Sequence, residues 1–278
     1  MLQIDHISKT FNAGTQNEVR ALRDVSLTVP EGSFLIVLGT NGSGKSTLLN
    51  AVAGAFRVDT GKIAVAGHEI TNWPEHRRAR LIGRVFQDPF RGTAPTMSIA
   101  ENLVLASRRG RRRGLGLAVN RRSIGELRDR IRPLNMGLED RLHNPIGSLS
   151  GGQRQALTLL MASWLKPELL LLDEHTAALD PKTADQVIRL THDIIERDKL
   201  TTLMVTHSMQ QAVHLGERIV MMHKGRILHD LEGSARASGP KTCCAALKTC
   251  AAASNWMATW PRCWPQAMFS RFPGGFPT

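Results

Sequence analysis

Residues 34–47 read FLIVLGTNGSGKST, and this stretch restricts the fold more than any other part of the chain. Phe34–Leu38 is an unbroken apolar run closed by glycine, as expected of a strand buried on both faces of a parallel sheet. Gly39–Thr47 fits the spacing G-x-x-x-x-G-K-[ST], and Lys45–Ala53 continues with the apolar periodicity of a helix. Glycines let the backbone wrap closely around phosphate, and a helix start adds partial positive charge. On this reading Gly39, Thr40, Asn41, Gly42, Ser43, Gly44 and Thr47 line a phosphate cradle. Lys45 reaches the β- and γ-phosphates, and the Ser46 hydroxyl ligates Mg²⁺. The bland alternative is a tight turn capped by Ser46.

The rest of the chain alternates strand-like and helix-like runs. Leu2–Ile7 and Val25–Val29 alternate as strands with one solvated face, and Arg84–Phe86 closes a short strand before a Pro/Gly-rich loop. Residues 98–164 show no convincing strand but several helical patterns, including Ser123–Leu134 and Gly151–Trp164. Strand runs resume at Leu169–Asp173, Thr202–Thr206 and Arg218–Met222, with helical patterns at Lys182–Arg197 and Met209–Leu215. This order predicts an α/β fold around a parallel sheet, with a mostly helical insertion at about 90–165.

LLLLDE, Leu169–Glu174, supplies the apolar strand ending in carboxylates that a nucleotide site needs beside its phosphate loop. Asp173 suits a metal ion, through water, and Glu174 suits a general base for water in line with the γ-phosphate. The plain alternative is a buried strand ending in a solvated acidic turn. LSGGQ, Leu149–Gln153, opens a helical run and offers a second set of backbone N–H groups, another anion site, or else an ordinary Ser N-cap.

In order and spacing these motifs, over about residues 1–234, resemble the ATP-binding subunit of an ABC transporter. The resemblance implies a P-loop NTPase core with a mostly parallel sheet, an N-terminal antiparallel β subdomain and an inserted α-helical subdomain. It implies that Phe11, where relatives carry Tyr, stacks on adenine. Gln87 of VFQDP would touch Mg²⁺ and water and communicate with a membrane subunit, and His207 would hydrogen-bond the γ-phosphate. Ser150, Gly151, Gly152 and Gln153 would contact ATP held by a second copy of the chain in a head-to-tail dimer. Asp180 would lie in a loop crossing that dimer interface. ATP and Mg²⁺ are the implied cofactors. Integral membrane permease subunits and a periplasmic or extracellular solute-binding protein are the implied partners, with no nucleic acid expected. The string DEHTAALDP resembles a branch serving importers of small solutes, with amino acids as the suggested cargo. Its His175 stands where most relatives have Pro, and reads as a solvated turn residue or as a group tuning Glu174. The rival reading is a soluble ABC-type ATPase acting on nucleic acid or ribosomes.

Composition bears on location and partners. No run of about 18 uncharged apolar residues occurs, and the N-terminus lacks a signal peptide's apolar centre. The expectation is a cytoplasmic protein, peripheral on the inner membrane face through its permease. Net charge is +12, and +8 remains without the four basic residues that follow Pro240. The run Ser107–Arg122, SRRGRRRGLGLAVNRR, reads as a solvated face or as a contact for lipid headgroups or acidic permease loops.

All four cysteines, Cys243, Cys244, Cys250 and Cys263, fall in the last part of the chain. Their spacing matches no paired zinc knuckle, and a cytoplasmic setting disfavours disulfides. Composition changes abruptly near Gly239, with no acidic residue beyond it. Written in G/C-rich codons and read one nucleotide earlier, the segment yields an acidic, leucine-spaced text of the kind an amphipathic helix uses. Residues 235–278 are therefore expected to be a disordered, frameshifted tail irrelevant to ATP chemistry. Resequencing the gene is expected to expose the shift near residue 236; an intact frame shared by close relatives overturns it.

Overall fold

The computed structural model describes residues 1–110, 121–208, 211–212 and 215–232. The tail, most of the arginine run and much of the Met209–Leu215 segment lie outside the described residues.

Two sheets pack around the phosphate loop. An antiparallel sheet is built from β1 (Leu2–Phe11), β2 (Val19–Val29), β4 (Thr60–Val65) and β5 (His68–Glu69), in the order β2-β1-β4-β5. The second sheet holds β3 (Phe34–Gly39), β6 (Ile82–Val85), β7 (Leu169–Asp173), β8 (Thr202–Thr206), β9 (Arg218–His223) and β10 (Arg226–Glu232). Its order is β10-β9-β3-β8-β7-β6, parallel throughout except for the β9–β10 hairpin. The early strands run several residues further than their alternation indicated, and β4, β5 and β10 gave no sequence signal.

As expected of a double-sided strand, β3 divides its side chains between two cores. Leu35 and Val37 join the cluster shared with the antiparallel sheet and with α1 (Lys45–Ala53). Phe34, Ile36 and Leu38 join the opposite cluster, with Ile194 and Ile195 of α6 (Pro181–Asp198). Strand β7 splits in the same way, Leu169 and Leu171 against Leu170 and Leu172. The segment expected to be helical contains α3 (Ile99–Ser107), α4 (Arg121–Ile131) and α5 (Gly151–Ser163), and no strand among its described residues. It has its own apolar cluster around Leu103, Ile131, Ile146 and Leu157.

The two sheets meet at the phosphate loop with no room for side chains. A Cβ on Gly44, which has φ 102°, would stand 2.6 Å from the Ala21 carbonyl oxygen of β2. A Cβ on Gly225, in the β9–β10 turn, would stand 2.7 Å from the same oxygen. Hydrogen bonds from Arg23 N to Gly225 O (2.8 Å) and from Gly225 N to Ser43 O (2.9 Å) complete the junction.

The far end of α1 is held by Arg78, in the short helix α2 (Glu75–Arg78). Its buried guanidinium donates to the carbonyls of Ala51 (2.7 Å), Val52 (2.9 Å), Thr71 (2.9 Å) and Trp73 (2.9 Å). A cation on the last carbonyls of a helix also complements its dipole. By contrast, Arg109 departs from the expected solvated run. It is half-buried, and its Nη2 donates to Ala162 O of α5 at 3.1 Å. Arg78→Met would leave four carbonyls without that donor. We expect a loss of about 2–4 kcal/mol in denaturant unfolding, with nucleotide binding weakened as α1 loosens.

Candidate functional site

The start of α1 carries no side-chain cap, so its first N–H groups stay available to an anion, as the sequence pattern required. Lys45 is 5 % exposed and its ammonium is held by loop carbonyls, 2.8 Å from Gly39 O and 3.0 Å from Thr40 O. Burial pushes its pKa below the usual lysine value, while Glu174 and Asp173 pull the other way. The Ser43 hydroxyl is buried without a partner, another polar group in the cradle. Asn41, Gly42 and Ser46 are exposed at its mouth, with Thr40 and Thr47 half-buried.

Asp173, at the end of β7, brings one carboxylate oxygen to 3.5 Å from Ser46 Oγ. Burial raises the Asp173 pKa, with the Arg84 guanidinium opposing that rise. Two adjacent hard oxygen donors fit Mg²⁺, which takes few protein ligands and completes its shell with phosphate and water. Among the described residues no group of three or more His, Cys, Asp or Glu could hold a metal by itself.

Glu174 follows with φ 41°, a left-handed conformation that non-glycine residues seldom take without reason. Its N–H donates to Val205 O (3.0 Å), and its Oε2 lies 3.2 Å from His207 Nδ1 at the end of β8. Beside the pair lies a cavity of about 50 Å³ lined by Thr176, Thr206, Ser208 and Gln211, room for water rather than for a nucleotide. Gln211 links Thr206 (3.0 Å) to Thr176 (3.1 Å), a bridge that no motif announced. The register of β6 on β7, Val85 opposite Leu172, carries exposed Gln87 to the same edge of the sheet.

His175 is not a solvated turn residue. It is 1 % exposed, and burial lowers its pKa to about 4, so the imidazole is neutral. Its Nε2 lies 3.0 Å from Thr191 Oγ1 of α6, and that hydroxyl already donates to Val187 O at 2.8 Å. Nε2 must therefore carry the hydrogen, which leaves Nδ1 a buried acceptor with no partner.

Phe11 is half-buried at the end of β1 and meets Phe56 edge-on, ring centroids 5.2 Å apart. Lys9 Nζ lies 5.7 Å from each ring and is paired with Asp59 at 2.6 Å. The Phe11 ring is thereby fixed from behind by Phe56 and Lys9.

The second anion site sits elsewhere. Ser150 and Gly151 are exposed at the start of α5. Ser150 accepts from Gln153 N at 3.2 Å, and the Gln153 carboxamide returns to Ser150 N (3.2 Å) and reaches Met136 O (3.2 Å). Gln153 thus shapes the turn, a capping box, with its side chain already engaged. Gly152 packs against α6, where a Cβ would lie 2.0 Å from Thr183 Cγ2. Asp180 caps α6, accepting from Thr183 N at 3.1 Å, and these bonds hold its pKa low. Among the described residues no hydrogen bond joins this site to the phosphate loop of the same chain.

A family model described as "ABC transporter" matches residues 22–177, which include both anion sites and the Asp173–Glu174 pair. The chain belongs to the ABC transporter family. As an ABC cassette it is an ATP-binding, ATP-hydrolysing subunit. It is 41 % identical to a tyrosine transport ATP-binding protein of Clostridioides difficile, over 84 % of this chain and 92 % of that one. It is 37 % identical to a methionine import ATP-binding protein of Rhodopseudomonas palustris, covering 82 % of this chain and 59 % of the other. Among solved structures, a dimeric ATP-binding cassette in a post-hydrolysis state, bound to ADP and Pi, superposes with a TM-score of 0.72 at 26 % identity. That match covers 84 % of this chain and 98 % of the other.

The His175–Thr191 bond is open to test. Thr191→Val removes the acceptor and leaves a buried N–H unpaired. We expect about 1–3 kcal/mol less stability in urea unfolding, and Thr191→Ser to retain most of it.

Proposed function

We propose that the chain energises an importer of a small solute, with amino acids the favoured cargo, working as a head-to-tail pair of cassettes on separate permease subunits. A solute-binding protein outside the membrane delivers the cargo. The import assignment is supported by the name of the methionine import relative, and the amino-acid cargo by that name together with the tyrosine transport relative. Among the described residues no helix is long and apolar enough to cross a membrane, so in this reading the translocation path belongs to other subunits.

The observation that carries the mechanism is the pairing of Glu174 with His207 at 3.2 Å, beside a polar cavity and the phosphate loop. In this reading the α1 amides and Lys45 bind the phosphates, the Lys45 ammonium exchanging the Gly39 and Thr40 carbonyls for phosphate oxygens. Ser46, Asp173 and Gln87 hold Mg²⁺, which supplies charge neutralisation at the β- and γ-phosphates. Glu174 accepts the proton of the attacking water, and His207 keeps that carboxylate oriented and bonds the γ-phosphate. Phe11 stacks on adenine, with Phe56 behind it. Each site stays incomplete until the partner copy brings its Ser150–Gly152 amides, with Asp180 lining the seam. Hydrolysis then separates the pair.

The permease contact is assigned to the loop after Gln87 and to the helical cluster. Phe90 is half exposed, and its ring rests on the Arg154 guanidinium, 3.7 Å from the centroid. Arg154 is fixed in turn by the carbonyls of Gly147 and Leu149, both at 2.9 Å. An apolar ring offered outward on a rigid cationic base suits a protein contact. Arg108 and the arginines at 111–113 are assigned to lipid headgroups or acidic permease loops.

Glu174→Gln is expected to bind ATP normally, lose roughly 10²–10⁴-fold in hydrolysis and accumulate as an ATP-dependent dimer in size-exclusion chromatography. Hydrolysis near the normal rate would remove Glu174 as the base. Lys45→Ala is expected to lose nucleotide affinity. Affinity purification from membranes should recover permease subunits, whereas recovery of RNA or DNA would favour the soluble rival.

A further inference from the structure

Arg84, on β6, belongs to no motif and yet stands in the metal position. Its Nη2 lies 3.8 Å from Asp173 Oδ2, and the two side chains are equally enclosed, each 13 % exposed. The same nitrogen donates to Asn50 Oδ1 at 2.6 Å, and the guanidinium lies over the Phe86 ring, 4.4 Å from its centroid. Ser46 and Asn50 are four residues apart on α1, so they share one helix face. The result is a closed array. Ser46 addresses one oxygen of Asp173, Arg84 the other, and Asn50 holds Arg84 from the same helix that carries Ser46.

The charges in that array decide what it does. Asp173 is the carboxylate a divalent ion would use, and the Arg84 guanidinium 3.8 Å away already offsets part of its charge. Lys45 also acts on Asp173, but its ammonium is taken up by the Gly39 and Thr40 carbonyls. Glu174 is adjacent, with its Oε2 on His207. A free Mg²⁺ would meet the Lys45 and Arg84 cations beside two carboxylates, Asp173 facing Arg84 and Glu174 engaged with His207. Nucleotide phosphates reverse that balance by adding several negative charges at once.

We propose that Arg84 is a resident counter-cation for Asp173 that closes the metal position to free divalent ions, so that metal enters only together with nucleotide. This rests on the reading of Asp173 as a metal-holding residue. Arg84 is a positioning residue here: it fixes the rotamer and charge balance of Asp173 and contacts no reacting atom. Its stacking on Phe86, directly before Gln87, also ties the Asp173 carboxylate to the loop assigned to the permease.

The test uses Mn²⁺ as the metal probe, followed by electron paramagnetic resonance on the full chain. Nucleotide-free wild-type protein should bind Mn²⁺ far more weakly than ATP-loaded protein. Arg84→Met and Arg84→Gln, the latter keeping a polar group for Asn50, should bind free Mn²⁺ roughly tenfold more tightly than wild type. Arg84→Lys, which keeps the charge, should resemble wild type. Unchanged or weaker free-Mn²⁺ binding in both neutral variants overturns the proposal. So does wild-type protein that takes up Mn²⁺ as well without nucleotide as with it, a result independent of how the variants fold. Asp173→Asn separates this inference from its foundation. If it leaves nucleotide-dependent Mn²⁺ binding intact, the metal reading of Asp173 fails. If it abolishes that binding while the neutral Arg84 variants match wild type, only the Arg84 inference fails.

Discussion

The Ala21 carbonyl oxygen sits where three parts of the molecule must touch: the antiparallel sheet, the phosphate loop and the β9–β10 turn. Two glycines, Gly44 and Gly225, approach it so closely that any side chain at either would collide. Most of the site's geometry follows from this contact. It fixes the angle at which α1 leaves the loop, and Arg78 fixes the other end of that helix by its four carbonyl bonds. Ser46 and Asn50 then project from a helix that is pinned at both ends. Asp173 and Glu174 arrive on a neighbouring strand whose side chains are locked into two separate cores.

What the sequence disclosed and what it hid divide along a physical line. The phosphate loop, the β7 carboxylates and the capping turn at Ser150 are contiguous, and each needs particular residue types at fixed spacing. They were readable without coordinates. His175 was misread because its burial is imposed by Thr191, sixteen residues on, after the chain has turned into α6. Arg84 was passed over for a similar reason. Its partners come from α1, β7 and the residue that follows β6, and no local pattern ties an arginine to an aspartate 89 positions away. Arg109 looked like one member of a charged run, yet its guanidinium bonds to α5. Strands β4, β5 and β10 were missed because half-exposed strands of mixed polarity lack a clear period of two.

Helix α5 joins two regions that lie outside the phosphate loop. Its first turn is the capping turn at Ser150, and the next residues, Arg154 and Gln155, hold the loop beyond β6. Arg154 supports Phe90, and Gln155 Nε2 donates to Phe86 O at 3.2 Å. A displacement of the Gln87 loop would therefore be felt at Ser150 through one short segment of α5.

Helix α6 completes a different connection. Its first turn, capped by Asp180, is the floor against which Gly152 packs, and its third turn holds His175 directly behind Glu174. The turn at Ser150 and the residue next to Glu174 thus rest on a single rod. Turning that rod by a few degrees would disturb the Ser150 turn and the support of His175 together.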